Sequence, residues 1–155
     1  MFSKILVPLD GSSLSEKALD PAVEMASKND SEIILLEAVQ DSLVAVPEAR
    51  YHVPPKEVYR SAVMSMKYLR NIASRLRMEG IRVRCHVLEG DPCSSILSYA
   101  HNEDVDVIVM STHGRSGLSR MVMGSVASKV ATTTHRPVVL VKDFHSASQE
   151  REHAA

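Results

Sequence analysis

The sequence lacks the features that mark several functional classes. Its two cysteines, Cys85 and Cys93, are too few for a disulfide framework and form no CxxC pair. Two thiols fit a reducing compartment, so the expected location is cytoplasmic. An excess of either charge is also absent: 18 Lys and Arg against 19 Asp and Glu leave a net charge of -1. With no basic stripe, bulk electrostatics favour neither nucleic acid nor an anionic membrane. No apolar run approaches the roughly 18 residues of a membrane span. Met1-Phe2-Ser3-Lys4 leads straight into an apolar strand pattern, unlike a signal peptide. There is no internal repeat and no low-complexity segment. G-x-x-x-x-G-K-[ST] is missing, which excludes a P-loop. No G-x-G-x-x-G follows the first strand pattern, which argues against a dinucleotide-type site.

What is present is a chain of 155 residues, 45% hydrophobic and 24% charged. That length suits one domain, large enough to bury roughly 70% of its unfolded surface without disulfides or metal. Ile5-Leu6-Val7 reads as a strand buried on both faces, ended by Pro8-Leu9-Asp10-Gly11. Ser13-Leu14-Ser15-Glu16 is a capping-box pattern, predicting a helix to about Ser27 with a kink at Pro21. A second buried strand begins at Ile33 and ends near Ala38 or Val39. Residues 40 to 54 read as a long loop. The clearest helix follows, with Val58, Ala62, Met66, Leu69, Ala73 and Leu76 on one stripe and Gly80 as its stop.

Ile81 to Val87 alternates strictly, predicting an edge strand with one wet face. Asp91-Pro92 starts a helix that ends near His101-Asn102. Val105 to Met110 is another buried strand. After a loop come a helix from about Gly124 to Thr133 and a last strand from Pro137 to Val141. The α/β domain is expected to span 1-142, with 143-155 a polar, frayed tail. Strands alternating with helices predict a parallel sheet with helices on both faces.

In such a sheet, ligands sit beyond the carboxyl ends of the strands where strand order reverses. The turns after the first and fourth strands therefore matter most. The second of these runs from Ser111 to Ser125 and carries Gly114, Gly117 and Gly124, several hydroxyls, Arg115 and Arg120, before a helix start. Glycines let backbone amides approach an anion closely, and a helix N-terminus adds donors and partial positive charge. The same composition also serves as ordinary connection chemistry. His113 reads as a general base or as a surface histidine. Arg115 and Arg120 read as phosphate contacts or as solvated loop residues. Met121-Val122-Met123 reads as core packing.

These residues resemble the universal stress protein family, over nearly the whole chain, from Lys4-Ile5-Leu6-Val7-Pro8-Leu9-Asp10-Gly11-Ser12 to Pro137-Val138-Val139-Leu140-Val141. The most specific part is Val109-Met110-Ser111-Thr112-His113-Gly114-Arg115 with Gly124-Ser125-Val126 downstream. The nucleotide-binding branch of that family carries G-2x-G-9x-G-[S/T]. Gly114, Gly124 and Ser125 match it, and Ser111 stands at its first glycine. The resemblance implies an open five-stranded parallel sheet of order 3-2-1-4-5, an ATP or AMP ligand and a homodimer. It places Asp10 at the adenine or ribose end, with Pro8 shaping the turn and Ala38 lining the adenine pocket. Met110 and Ser111 fall beside the ribose and α-phosphate. Gly114, Gly124, Ser125 and Val126 fall on the phosphates.

Three functions follow. One is a nucleotide-binding stress-response or signalling module with an unidentified regulatory partner. Mg²⁺ on the phosphates is compatible with this, although no protein ligand cluster marks a metal position. Another is a nucleotide-free dimeric interaction protein of the same fold, favoured by Ser111. The third is an enzyme, for which no assembled nucleophile, base and metal set is visible, so any ATP hydrolysis is expected to be slow. Val138 to Val141 is apolar on both faces at an implied sheet edge, so the homodimer is expected to join there.

Overall fold

The computed structural model of the chain describes residues 1–39, 56–113 and 123–142, with side chains of 56–60 left aside. In chain order the elements are β1 (Lys4–Leu9), α1 (Ser13–Glu16), α2 (Leu19–Asn29), β2 (Glu32–Val39) and α3 (Lys56–Met78). They continue with β3 (Arg82–Glu89), α4 (Pro92–Asn102), β4 (Val107–Ser111), α5 (Ser125–Thr133) and β5 (Val138–Val141). The five strands form one parallel sheet of order β3-β2-β1-β4-β5. The loop expected over 40–54 and the tail 143–155 lie outside the described residues.

The two-sided apolar runs account for the layering. Ile5 and Val7 of β1, Ile33 and Leu35 of β2, and Val107 and Val109 of β4 point to one face. There they pack under Leu19, Ala22 and Ala26 of α2 and Leu69, Ile72 and Leu76 of α3. The alternate residues Leu6, Ile34, Leu36, Ile108 and Met110 meet Ile96, Tyr99 and Ala100 of α4, and Ala127 and Val130 of α5. Ile5, Leu6, Ile33, Ile34 and Ile108 are fully buried, each contributing about 1.5–3 kcal/mol of transfer free energy.

Two local expectations change. Residues 13 to 27 do not form one kinked helix: α1 stops at Glu16, and α2 begins at Leu19. Pro21 has no N–H to donate to the Lys17 carbonyl, so the chain breaks a turn earlier and Pro21 falls in the first turn of α2. The polar side of β3 is also less wet than strict alternation suggests. Arg84 and His86 are half-buried. The His86 ring lies 5.0 Å from that of Tyr99. Arg84 pairs with Glu32 at 2.9 Å and Glu103 at 3.6 Å. The edge strand is thus covered on that side by α4 and its ion pairs.

The helix ends follow the sequence signals. The Asp91 carboxylate accepts the Ser94 N–H at 2.9 Å, and Pro92 opens α4. Gly80, with φ of +83°, follows α3 in the left-handed conformation that glycine takes freely.

The seam between β1 and β4 is short. It pairs Ile5 with Val107 and Leu6 with Ile108, whereas β1 and β2 pair from Lys4 through Leu9. The Lys4 carbonyl accepts the Asp106 N–H at 3.0 Å, so alternate residues of β1, Pro8 among them, turn their backbone groups toward β4. Pro8 has no N–H to donate across the seam, and the ladder stops before it. The other end is pinned: the Asp106 carboxylate accepts the N–H groups of Ser3 at 2.7 Å and Lys4 at 2.9 Å.

These backbone donors, that of Lys4 foremost, hold the Asp106 carboxyl below its ordinary value. The unfolded chain then binds this proton more readily, so the stabilisation is full at neutral pH and fades as pH falls below about 4. Asp106→Ala is expected to cost about 1–2 kcal/mol at pH 7 in urea unfolding, with the gap to wild type narrowing in acid. A gap that widened in acid would contradict this role.

Candidate nucleotide-type crevice

The cavity beyond the carboxyl ends of β1 and β4 is about 440 Å³. Two turns and a helix end build it. On the β1 side, Gly11 adopts φ of +81° and turns the chain after Asp10. The Asp10 carboxylate then accepts the Ser12 N–H at 2.9 Å and the Ser12 hydroxyl at 2.6 Å. The Ser12 oxygen in turn accepts the Ser15 N–H at 3.1 Å and caps α1. The Ser15 hydroxyl donates to the Ser12 carbonyl at 2.8 Å and accepts the Asp10 N–H at 3.3 Å. These bonds fix the position of Asp10 relative to α1.

On the β4 side, Ser111 and Thr112 are buried. Ser111 does not have a positive φ, so a serine in place of the family glycine carries no left-handed strain. Its hydroxyl accepts the His113 N–H at 3.3 Å. Thr112 is held from both sides. Its N–H donates to the Val141 carbonyl of β5 at 2.9 Å, and its carbonyl accepts the Gly124 N–H at 2.7 Å. That second bond seats the N-terminus of α5 against the end of β4. A Cβ on Gly124 would stand 2.9 Å from the Thr112 oxygen, so glycine is required here by close approach. Its φ of -56° would suit any residue.

The Gly124 amide is engaged with Thr112, and the close approach gives this glycine a steric part as well. The next positions border the cavity. Ser125, Val126 and Ala127 line it, and the first-turn amides of a helix have no acceptor within the helix. The intrahelical ladder begins with the Ser128 N–H on the Gly124 carbonyl at 2.9 Å.

Eight of the sequence-derived site residues line this one cavity: Pro8, Asp10, Ala38, Met110, Ser111, Gly124, Ser125 and Val126. Gly114 lies outside the described residues, as do Gly117, Arg115 and Arg120. The structure adds Ser15, Glu37, Ser61, Pro92, Ile96 and Thr112 to the lining, along with His113. The Glu37 position had a signal: one acidic residue inside the apolar run from Ile33 to Val39. Glu37 is 4% exposed. His113 Nδ1 lies 3.0 Å from the Thr112 hydroxyl, which orients the ring. Among the described residues, no group of three His, Cys, Asp or Glu side chains could hold a metal ion.

Comparison with known proteins agrees with this architecture. The universal stress protein family model matches residues 1–142. The chain belongs to that family. It is 32% identical over 151 residues to universal stress protein YxiE of Bacillus subtilis, covering 92% of this chain and 100% of the relative. The solved structure of protein MJ0577, a universal stress protein of Methanocaldococcus jannaschii, superimposes with a TM-score of 0.82 at 28% identity. That match covers 94% of this chain and 99% of the other. A universal stress protein from Archaeoglobus fulgidus in complex with dAMP shares the fold, with a TM-score of 0.64 at 20% identity. That match covers 92% of this chain and 98% of the other.

The Gly124 contact yields a direct expectation. Gly124→Ala should destabilise the protein by about 1–3 kcal/mol in thermal or urea unfolding, because the methyl group forces α5 away from Thr112. Ser125→Ala, one residue on, should cost clearly less. Equal losses at the two positions would show that the close approach is unimportant.

Proposed function

We propose that this chain binds an adenine nucleotide, ATP or AMP, in the crevice between β1 and β4. The observation that carries this reading is the seating of α5 opposite the Asp10 turn. A carboxylate stands at one side of the cavity and helix-terminal amides stand at the other. The amide end favours phosphate through free donors and partial positive charge. Each hydrogen bond to a charged acceptor is worth about 1.5–3 kcal/mol, and the Ser125 hydroxyl offers one more. The carboxylate end suits a ribose hydroxyl or another donor of the nucleoside. Ala38 and Pro8 supply apolar wall beside it, and Met110 with Ser111 borders the ribose and α-phosphate. Gly114 belongs to the phosphate side of the same reading. The volume falls in the range of small-molecule sites. The dAMP held by the Archaeoglobus fulgidus relative supports the capacity of this fold for such a ligand.

In this reading the protein is a cytoplasmic stress-response or signalling module in which occupancy alters contacts with a regulatory partner. Its two cysteines are free thiols, in keeping with a reducing compartment. No described helix is long and apolar enough to cross a membrane. Mg²⁺ would be carried on the phosphates, and ATP hydrolysis is slow at most. The α/β domain ends near residue 142, followed by the polar tail. The nucleotide-free reading rests on Ser111, whose side chain occupies space that glycine leaves open.

Denaturing the purified protein and assaying the supernatant for ATP or AMP separates the two readings. If none is released, titration with ATP should raise Tm, since a ligand at 100 times its Kd adds about 2.7 kcal/mol. No nucleotide and no shift at millimolar ATP would sink the proposal in favour of the nucleotide-free module.

The same reading makes the protein a homodimer through β5. Val139 is 36% exposed and β5 occupies the sheet edge beyond β4. An apolar edge with open backbone groups is a natural pairing surface. Solution scattering at micromolar concentration should return twice the chain mass. A monomeric mass would remove the dimer.

A further inference from the structure

We infer that Tyr68, on α3, is a positioning residue for the Asp10 side of the crevice, acting through Glu16 and the α1 turn; the inference rests on the nucleotide reading above. The Tyr68 hydroxyl donates to the Glu16 carboxylate at 2.8 Å across 52 positions of sequence. Glu16 is the last residue of α1, and its own N–H reaches the Ser12 carbonyl at 3.4 Å. Ser12 and Ser15 hold Asp10 by the bonds already described. A continuous set of hydrogen bonds and covalent links therefore runs from the α3 phenol to the Asp10 carboxylate at the cavity.

The need for this link follows from the break after α1. A helix of four residues has too few internal hydrogen bonds to stand alone, and α1 does not continue into α2. Its position must come from outside. Tyr68 supplies it from a long helix anchored by Leu69, Ile72 and Leu76 in the core. Ser15 of α1 and Ser61 of α3 both line the cavity, so the two elements border the same space as well. Burial and the adjoining Glu16 carboxylate push the phenol of Tyr68 well above its ordinary value, so the donor proton persists through the neutral range.

Hydrogen exchange and binding together test this. In the unliganded full chain, Tyr68→Phe should speed exchange at the Ser12, Ser15 and Glu16 amides while leaving those of β3 and α4 unchanged. It should weaken ATP and AMP by the same factor, about 3- to 10-fold, because the Asp10 side does not touch the phosphates. Glu16→Gln keeps an acceptor and should behave as wild type. Glu16→Ala should match Tyr68→Phe, and the double variant should lose little more than either. Unchanged exchange at those three amides overturns the inference, as does faster exchange with unchanged affinity. If wild type binds neither nucleotide and exchange still rises in Tyr68→Phe, the nucleotide reading fails and the positioning link stands.

Discussion

One backbone contact organises the β4 side of this crevice: the Gly124 amide on the Thr112 carbonyl. A carbonyl at the end of a strand must find a donor or stay in contact with water. Here the donor is the residue that caps the next helix, so the strand end and the helix start share one hydrogen bond. The first turn of α5 is thereby held beside the end of β4, where its residues line the cavity. The contact tolerates no side chain on its donor, which turns a glycine of ordinary φ into a fixed requirement. Ser125 and Val126, the next two residues, line the cavity.

The two sides of the cavity are built by different means. Side-chain oxygens of Asp10, Ser12 and Ser15 interlock on the β1 side. Backbone groups do most of the work on the β4 side, with the Ser111 hydroxyl closing the turn onto His113. The division suits a ligand with donor groups at one end and an anion at the other. Carboxylates repel an anion and accept donors, whereas helix-terminal amides do the reverse.

Much of the fold was legible because the central strands are apolar on both faces, a pattern that only a covered parallel sheet explains. Strand order was not contained in that pattern; it came from the family resemblance, and the sheet has the same order. Local propensity misled where a tertiary effect intervened. The capping box read from Ser13 marks the right turn, but the cap is Ser12, one residue earlier, and the missing N–H of Pro21 acts a turn upstream of the proline itself. Arg84 and His86 looked solvent-facing until α4 was placed over them. Around the cavity, motif positions pointed to strand ends that line it but not to the hydrogen bonds made there. Gly124 reads as a phosphate donor in sequence, and only the distance to Thr112 reveals its amide as occupied. Glu37 was marked by its place inside an apolar run, but its burial at the cavity is seen only once the sheet is assembled.

The absent N–H of Pro8 has a mechanical consequence. Across the β1–β4 line the sheet is two plates, β3-β2-β1 and β4-β5, riveted near Asp106 and unfastened toward the crevice. Asp10 and Ala38 ride on one plate; Ser111 rides on the other, together with α5. The shared apolar layers above and below hold the two together, and a molecule lying across the gap would act as a splint at the end where the backbone ladder stops.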